Sequence, residues 1–271
     1  MIPSYDVIVA SASRPHLLAR TLSTLFEHVD LMPRHVYLHD DAAFEDRKAW
    51  RRQGVIDVLM RHVPSEGLPL PAWNAMYDDP AVGHGPSLAW LLAQTTWSKY
   101  ALYTQDDFET LRTLPIAEAL DLMERHDLNQ IRFNKRATME FKDTAQGPWF
   151  KKEFTFGNRI LTVSDHWYFQ TSLWRLSAIR PIIAHWMELA KSNPFTMKRF
   201  SRWCEPLINQ VLDSHPYVPD VTPAWHQRDQ DVRATVQRTF IWGPIGEDRF
   251  VQHIGNVRAD WAGTHPREEG A

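Results

Sequence analysis

Three short polar clusters follow apolar runs in this sequence, and their residue types suit the binding of an anion together with a metal ion. The clusters are Ser11-Ala12-Ser13-Arg14, Asp40-Asp41 and Asp106-Asp107. Adjacent carboxylates repel each other unless a cation or a hydrogen-bond donor offsets their charge. A hard divalent ion such as Mg²⁺ or Mn²⁺, which also bridges to phosphate oxygens, meets that requirement. The alternative interpretation is that Asp106-Asp107 only caps a helix.

The elements that must position these clusters predict an α/β fold. The apolar run over 5–12 is typical of a buried parallel strand, and apolar residues at helical spacing predict a helix over 15–28. A second strand over 35–39 completes a strand-helix-strand unit. In an open parallel sheet, ligands bind at the carboxyl ends of the strands, where loops and helix N-termini converge. We therefore expect the three clusters to share one edge of a mixed, mainly parallel sheet that is flanked by helices.

The remaining elements are predicted from the same patterns. We predict helices over 45–62, 88–95, 115–126, 174–191 and 202–213, and strands over 100–104 and 130–133. Residues 134–163 alternate basic and aromatic residues around two turn signals, which predicts an antiparallel ribbon. The stretch 64–80 is expected to be loop, and the chain from 216 onward to be irregular. We expect one domain over 1–271, with a first half over 1–129 and a less regular second half over 130–271.

Composition excludes several classes of protein. The chain has 271 residues, of which 44% are hydrophobic and 23% are charged, and this balance excludes a disordered chain. The single cysteine, Cys204, excludes a disulfide scaffold and a cysteine-based zinc ribbon, and it suits a reducing compartment. No run of about 18 apolar residues is present, and the first residues lack a secretory pattern. A cytoplasmic protein without a membrane span is therefore expected.

Charge is distributed unevenly along the chain. The formal net charge is −3, but residues 1–129 carry −7, residues 130–202 carry +8 and residues 203–271 carry −4. A basic segment between acidic ones indicates either a solvated face or a site for a polyanion. The twelve tryptophans are mostly expected in the core, although open clefts that stack sugars or bases also use indole rings.

The first 110 residues resemble a nucleotide-sugar glycosyltransferase of the GT-A fold, similar to family 2. The resemblance lies in Val7-Ile8-Val9-Ala10-Ser11 with Arg14-Pro15, in Val36-Tyr37-Leu38-His39-Asp40-Asp41, and in Tyr103-Thr104-Gln105-Asp106-Asp107. It implies that Asp40 or Asp41 accepts a hydrogen bond from the base, that Asp106 lies near the ribose, and that Asp107 ligates a divalent metal, Mn or Mg. Gln105 departs from a strict Asp-x-Asp motif. The nucleotide-sugar-binding residues implied in this way are Ala10, Ser11, Ser13, Arg14, Asp40, Asp41, Ser87 and Asp106.

The same resemblance suggests a second metal ligand and a catalytic base. His253, in Val251-Gln252-His253-Ile254-Gly255, matches the late histidine that joins the metal in such enzymes. Inverting transfer needs a carboxylate that deprotonates the acceptor hydroxyl. Glu205, at the start of a predicted helix, is the first candidate for this base, and Asp165 is the second. A favourable interaction of Glu205 with the helix dipole is the structural alternative.

Cations and rings of the basic segment are the candidate acceptor-binding residues. They are Lys135, Arg136, Trp149, Lys151, Lys152, Trp167, Arg199 and Arg202. Cations that take phosphates, alternating with rings that stack bases, suit a nucleic acid. The acceptor would then be a hydroxymethylated base of DNA, as in phage DNA-modifying enzymes. A saccharide or a phosphorylated lipid carrier is the alternative acceptor.

Two other functions compete with a glycosyltransferase. A nucleotidyltransferase shares the acidic strand ends but usually has a Gly-rich loop after the first strand, where this chain has Ser11-Ala12-Ser13-Arg14-Pro15. A non-catalytic nucleic-acid-binding module would explain the basic segment but not the two acidic pairs. Loss of metal-dependent nucleotide binding on substitution of Asp107 would separate the enzymes from the binding module.

Overall fold

A nine-stranded mixed sheet forms the centre of the protein, described here from a computed structural model. The structure describes residues 3–12, 14–41, 48–62, 72–78, 83–95, 98–134, 141–144, 147–149, 153–163, 167–198, 200, 204, 207–208 and 238–255. In their order across the sheet, the strands are β3 (Ala72–Asp78), β2 (His35–Asp41), β1 (Tyr5–Ser11), β4 (Tyr100–Gln105), β11 (Ser172–Arg175), β6 (Gln130–Arg132), β12 (Thr239–Trp242), β10 (Arg159–Val163) and β9 (Glu153–Phe156).

The sheet is parallel on the side that carries the three polar clusters. Strands β3, β2, β1 and β4 all run in one direction, and β6 and β12 run the same way beyond the antiparallel β11. On the far side, β10 is antiparallel to both β12 and β9. The predicted fold class, a mixed and mainly parallel α/β sheet, is confirmed.

Helices cover both faces of this sheet. They are α1 (Pro15–His28), α2 (Lys48–His62), α3 (His84–Gln94), α4 (Ile116–Arg125) and α5 (Leu176–Ser192). Alternate residues of β1 point to opposite faces, so Val7 and Val9 pack with α1, α2 and α4, while Ile8 packs with α3 and α5. No helix in the described part of the chain is long and apolar enough to cross a membrane.

Helix α1 shows how the sequence builds these units. Pro15 stands at its first position, where the missing N–H costs nothing, and Leu18, Leu22 and Leu25 are buried along one side. Burial of each such leucine contributes on the order of 2 kcal/mol. The observed bounds equal the predicted 15–28.

Two sequence predictions of secondary structure are wrong and the start of one predicted helix shifts by two residues, each because pairing with a distant strand overrides local signals. The expected loop over 64–80 contains β3, an edge strand that pairs in parallel with β2. The predicted helix over 174–191 begins only at Leu176, because the preceding residues form β11 between β4 and β6. The chain from 216 onward contributes β12 and β13 (Val251–His253), and the predicted helix over 202–213 lies largely outside the described residues.

Two small sheets complete the fold. Strand β5 (Phe108–Thr110) pairs antiparallel with β13, which brings the late part of the chain beside the turn that follows β4. Strands β7 (Phe141–Thr144) and β8 (Gly147–Trp149) form the second small sheet, which is also antiparallel. Within the central sheet, β9 and β10 form another antiparallel pair around Gly157, whose φ is 62°. The antiparallel ribbon predicted over 134–163 is confirmed in these pairs.

Candidate active site

The three polar clusters lie at one edge of the sheet, at the carboxyl ends of neighbouring parallel strands. Ser11 pairs in register with Asp40 of β2, and Ala10 pairs with Gln105 of β4. Two strand spacings, about 10 Å, therefore separate the end of β2 from the end of β4, with the end of β1 between them. This is the place at which an open parallel sheet binds its ligand.

Asp106 joins the end of β1 to the turn after β4. Its Oδ2 accepts hydrogen bonds from the Ser11 hydroxyl at 3.1 Å and from the Ala12 backbone N–H at 2.9 Å, and both of its oxygens accept from Arg14. Its own backbone N–H donates to the Ala10 carbonyl at 3.0 Å. The side chain is 1% exposed, so Asp106 positions Arg14 and the strand ends rather than presenting a free oxygen to a ribose.

Arg14 is the cation that allows two adjacent carboxylates to be buried here. Its guanidinium contacts Asp106 and also donates to Oδ2 of Asp107 at 3.0 Å. Burial alone would lower the pKa of Arg14, but the charges of Asp106 and Asp107 outweigh it and raise that pKa above its ordinary value. The guanidinium therefore stays charged, and with its side chain 13% exposed it still reaches the edge of the site.

Asp107 and His253 meet through the pairing of β5 with β13. The pairing places His253 opposite Phe108, and the Ile254 N–H donates to the Asp107 carbonyl at 2.8 Å. Nε2 of His253 consequently lies 3.1 Å from Oδ2 of Asp107. The structure thus brings together the two residues that the resemblance implies as metal ligands.

Burial and charge shift the pKa values of the two aspartates in opposite directions. Desolvation raises the pKa of the fully buried Asp106, although Arg14 opposes this shift. Desolvation would also raise the pKa of Asp107, but the hydrogen bond with His253 and the charge of Arg14 outweigh it and lower that pKa below its usual range. Asp107 is therefore ionised at neutral pH, as a metal ligand must be.

One observation supports the fit of a divalent ion at Asp107. Its Oδ1 is buried and has no hydrogen-bond partner among the described residues, which leaves one carboxylate oxygen for a ligand. Gly255 packs closely against the same side chain, because a Cβ there would stand 2.7 Å from Oδ2 of Asp107. No cluster of three or more ligating side chains occurs in the described part of the chain. The residues therefore fit an ion held by Asp107 and His253 that takes its other ligands from substrate and water.

The acidic pair at the end of β2 is split between two environments. Asp40 is almost fully buried, whereas Asp41 is partly exposed. Oδ2 of Asp41 accepts from the backbone N–H of Gly83, the residue before α3, at 3.1 Å. Ser87 is buried in the first turn of α3, and its hydroxyl donates to the Gly83 carbonyl at 2.8 Å rather than facing the edge. Of these three predicted residues, only Asp41 is partly exposed at the edge of the sheet.

A series of hydrogen-bonded polar side chains on the α3 side of the edge is not predicted by any local pattern in the sequence. The side-chain amide of Gln105 donates to the Tyr103 hydroxyl at 3.0 Å and to the Phe169 carbonyl at 3.2 Å, and that hydroxyl lies 2.8 Å from Nε2 of His84. Desolvation lowers the pKa of His84 to about 4, so its neutral ring can accept from Tyr103. The alternation of β4 places Tyr103 and Gln105 on one face, but only the fold supplies His84.

The acceptor-binding expectation fails for Trp167. This residue is completely buried and packs edge-on against the equally buried Trp174, with ring centroids 5.6 Å apart, so neither indole can stack on a substrate. Indole rings this large bury readily beneath a sheet. The other predicted acceptor residues, together with Ser13, Glu205 and Asp165, lie outside the residues whose side chains the structure describes; those acceptor residues are Lys135, Arg136, Trp149, Lys151, Lys152, Arg199 and Arg202.

Comparison with known proteins gives similarity at the level of structure alone. No protein-family model matches the chain, and no curated protein matches its sequence. Similar solved structures include mannosyltransferase PcManGT from Pyrobaculum calidifontis in complex with GDP-Man and Mn2+, with 16% identity, a TM-score of 0.47, and coverage of 67% of this chain and 47% of that one. Another is S. aureus TarS 1-349 in complex with UDP, with 12% identity, a TM-score of 0.45, and coverage of 96% and 62%. A third is GalNAc-T7 with UDP, GalNAc and Mn2+, with 8% identity, a TM-score of 0.45, and coverage of 65% and 36%.

The matched region is about half the length of the first of these structures, at 47% of that chain. The strand order of this chain gives its architecture, a mainly parallel sheet with helices on both faces. The chain is an α/β protein similar in fold to these glycosyltransferase structures.

Proposed function

We propose that this protein is a glycosyltransferase that moves a sugar from a nucleotide-diphosphate sugar to a hydroxyl acceptor, with a divalent metal ion. The observation that carries the proposal is Asp107 beside His253 and Arg14 at the strand edge, with one buried carboxylate oxygen that has no partner among the described residues. An ionised carboxylate, an imidazole and an arginine at this edge match the needs of a metal-bound diphosphate.

The leaving group of the reaction is a nucleoside diphosphate, which gains negative charge as the glycosidic bond breaks. Asp107 and His253 would hold a Mn or Mg ion, which when bound supplies positive charge to the diphosphate oxygens. Arg14 adds a fixed cation at the same place and remains charged because Asp106 and Asp107 raise its pKa. Preorganised charge of this kind is usually the largest single contribution to catalysis.

Donor binding would extend from Asp107 toward β2. Asp41, partly exposed at the end of β2, supports recognition of the base, and Ala10 and Ser11 would form the floor between the two acidic ends. Asp106 acts through Arg14 and the end of β1, because its oxygens are already engaged. This assignment places the nucleoside across β1 and the diphosphate at the turn after β4.

The proposed base and acceptor rest on the sequence. Glu205, followed by Pro206 at the start of a predicted helix, is the proposed base that deprotonates the acceptor hydroxyl, and Asp165 is the second candidate. The charge of +8 over residues 130–202 supports an acceptor that carries negative charge, of which a hydroxymethylated base in DNA is one example.

Thermal unfolding with a panel of nucleotide-diphosphate sugars, with and without Mn²⁺, tests the proposal. A donor present at about a hundredfold its dissociation constant stabilises the fold by about 2.7 kcal/mol, which raises the melting temperature by about 5 °C or more. The shift should require Mn²⁺ and should disappear in Asp107→Asn. The matched control is Asp121→Asn, which alters a half-exposed aspartate that pairs with Arg125 within α4, and it should keep the shift.

Each outcome selects among the competing functions. A metal-dependent shift with nucleotide sugars that Asp107→Asn abolishes supports the glycosyltransferase. A shift with nucleoside triphosphates but with no nucleotide sugar would favour a nucleotidyltransferase instead. Unchanged DNA binding in Asp107→Asn, with no response to any nucleotide, would favour a nucleic-acid-binding module.

A further inference from the structure

Arg132, the last residue of β6, is a buried arginine that has no carboxylate partner among the residues that the structure describes. It is 7% exposed, its Nη2 donates to Oδ1 of Asn134 at 3.2 Å, and its guanidinium lies 3.9 Å from the ring centre of Tyr168. Its Nε is buried without a hydrogen-bond partner among the described residues, and no ion pair of Arg132 occurs in that part of the chain.

Arg132 and Arg175 are the two most buried arginines among the described residues. Arg175, at the end of β11, contacts Asp127 at 3.1 Å, and its guanidinium also donates to two backbone carbonyls. The partly buried Arg180 has no ion pair in the described part of the chain, but its guanidinium donates to backbone carbonyls at the end of α3. A buried arginine that no acid neutralises is costly to the fold, because the charge has left water without compensation. Arg132 differs from both, because no described acid and no described backbone carbonyl accepts from its guanidinium.

The neighbours of Arg132 orient it without neutralising it. Asn134 accepts one hydrogen bond, and the ring of Tyr168 lies against the guanidinium plane. Both contacts fix the direction of the planar fork, which matches the geometry of a phosphate or carboxylate. The remaining N–H donors suit an anionic ligand.

Arg132 lies at the same edge of the sheet as the candidate active site, on the side of β4 that faces away from β1 and β2. It pairs in register with Ser172 of β11, which in turn pairs with Tyr103 of β4. Strands β4 and β6 run in the same direction, so both end at the edge where Asp107 lies, about 10 Å apart in the strand-pairing direction. The donor side, β1 and β2, lies on the opposite flank of β4.

We propose that Arg132 binds an oxyanion carried by the acceptor, a phosphate or a carboxylate group, and so restricts the acceptor to anionic molecules. The assignment of this anion to an acceptor rests on the proposed function. Asn134 and Tyr168 serve as positioning residues that hold the guanidinium toward the anion. The stability lost by burying an unpaired charge is returned when the anion binds.

The test compares Arg132→Met, Arg132→Lys and a control, Arg125→Met, in which an arginine 59% exposed on α4 is replaced. Inorganic phosphate is the probe, and calorimetric titration and melting temperatures are the readouts. We expect phosphate to bind the parent chain and the control, and to bind Arg132→Met about tenfold to a hundredfold more weakly, the range expected for charged hydrogen bonds. Arg132→Lys should retain part of the affinity, because it keeps the charge but loses the planar fork.

Melting temperature without phosphate separates a binding role from a structural one. Arg132→Met should melt at the same temperature as the parent or higher, since it removes an uncompensated buried charge. A lower melting temperature with an unchanged response to phosphate would mean that Arg132 only supports the fold. An equal response of all three variants would indicate an adventitious ion only, and either result overturns the proposal.

A second titration, with a nucleotide-diphosphate sugar and Mn²⁺, distinguishes acceptor from donor. Arg132→Met should retain donor affinity, whereas Asp107→Asn should lose it. If Arg132→Met loses donor affinity as well, the anion belongs to the donor diphosphate and the acceptor assignment is wrong. If no nucleotide sugar binds the parent chain, the proposed function fails and the acceptor assignment fails with it, while the phosphate titration still decides whether Arg132 binds an anion.

Discussion

Replacing Arg14 with methionine tests the electrostatics on which the candidate site depends. Arg14 is the cation that contacts both buried aspartates, and methionine keeps much of its apolar volume while removing the charge. The exposed fractions of the side chains are 13% for Arg14, 1% for Asp106 and 8% for Asp107, so little solvent screens them. Removal of one partner from such a buried group costs about 3–5 kcal/mol, because the other charges remain buried without compensation.

Urea unfolding at neutral pH measures this loss. A domain of ordinary stability unfolds with about 5–15 kcal/mol, so Arg14→Met should lose a third or more of a mid-range value. The control is Arg20→Met on α1, which removes an arginine 59% exposed that pairs with Glu109 and should cost less than about 1 kcal/mol.

A double variant separates charge from packing. In Arg14→Met/Asp106→Asn the buried carboxylate is neutralised as well, so we expect the double variant to recover a coupling energy of about 1–3 kcal/mol. A loss below about 1 kcal/mol in Arg14→Met, or additive effects in the cycle, would refute the view that Arg14 compensates these carboxylates.

The loss should also depend on pH. Burial already raises the pKa of Asp106, and without Arg14 that pKa rises further. Between the ordinary pKa of an aspartate and the raised pKa of Asp106, the folded variant binds a proton that the unfolded chain does not bind. The stability of the variant therefore falls as the pH rises through the raised pKa of Asp106. Arg14→Met should consequently be less impaired at about pH 5 than at about pH 7.

Two further predictions concern the close packing of Gly255 against Asp107 and the buried histidine of α3. Gly255→Ala would place a Cβ 2.9 Å from the Asp107 Cβ and 3.1 Å from Nη1 of Arg14. The substitution should therefore lower the free energy of unfolding by about 1–3 kcal/mol and weaken metal-dependent donor binding in titration. Gly157→Ala, where a Cβ would have no atom within 4 Å, should leave donor binding unchanged. Because the pKa of His84 is lowered in the folded state, the unfolded chain binds a proton on this histidine at a higher pH than the folded chain does. The free energy of unfolding should therefore fall by at most about 3 kcal/mol as the pH drops from 6.5 to about 4. Urea unfolding should show a smaller drop in His84→Gln than in the parent.

Either prediction has a clear contrary result. Equal donor affinity in Gly255→Ala and the parent would mean that donor binding does not depend on the position of the Asp107 side chain that Gly255 packs against. An acid-induced loss of the same size in His84→Gln and the parent would assign that loss to other groups.

Local patterns in the sequence predict the first half of the sheet well. The apolar run of β1, the periodicity of α1 and the acids that follow β2 and β4 are all local signals, and the parallel strand-helix-strand unit places their ends at one edge. Strand β3 escaped prediction because its pairing with β2, rather than its own composition, makes it a strand.

Local patterns are enough to predict the fold class, the acidic strand ends and the types of residue at the site, because strand periodicity and turn residues act over a few positions. Which of these groups meet depends on long-range contacts in the fold. Arg14 contacts Asp106 and Asp107, the pairing of β13 brings His253 to Asp107, and Arg132 is buried without an ion pair in the described part of the chain. These contacts join residues distant in the chain, and their energies depend on burial, which a sequence pattern does not specify.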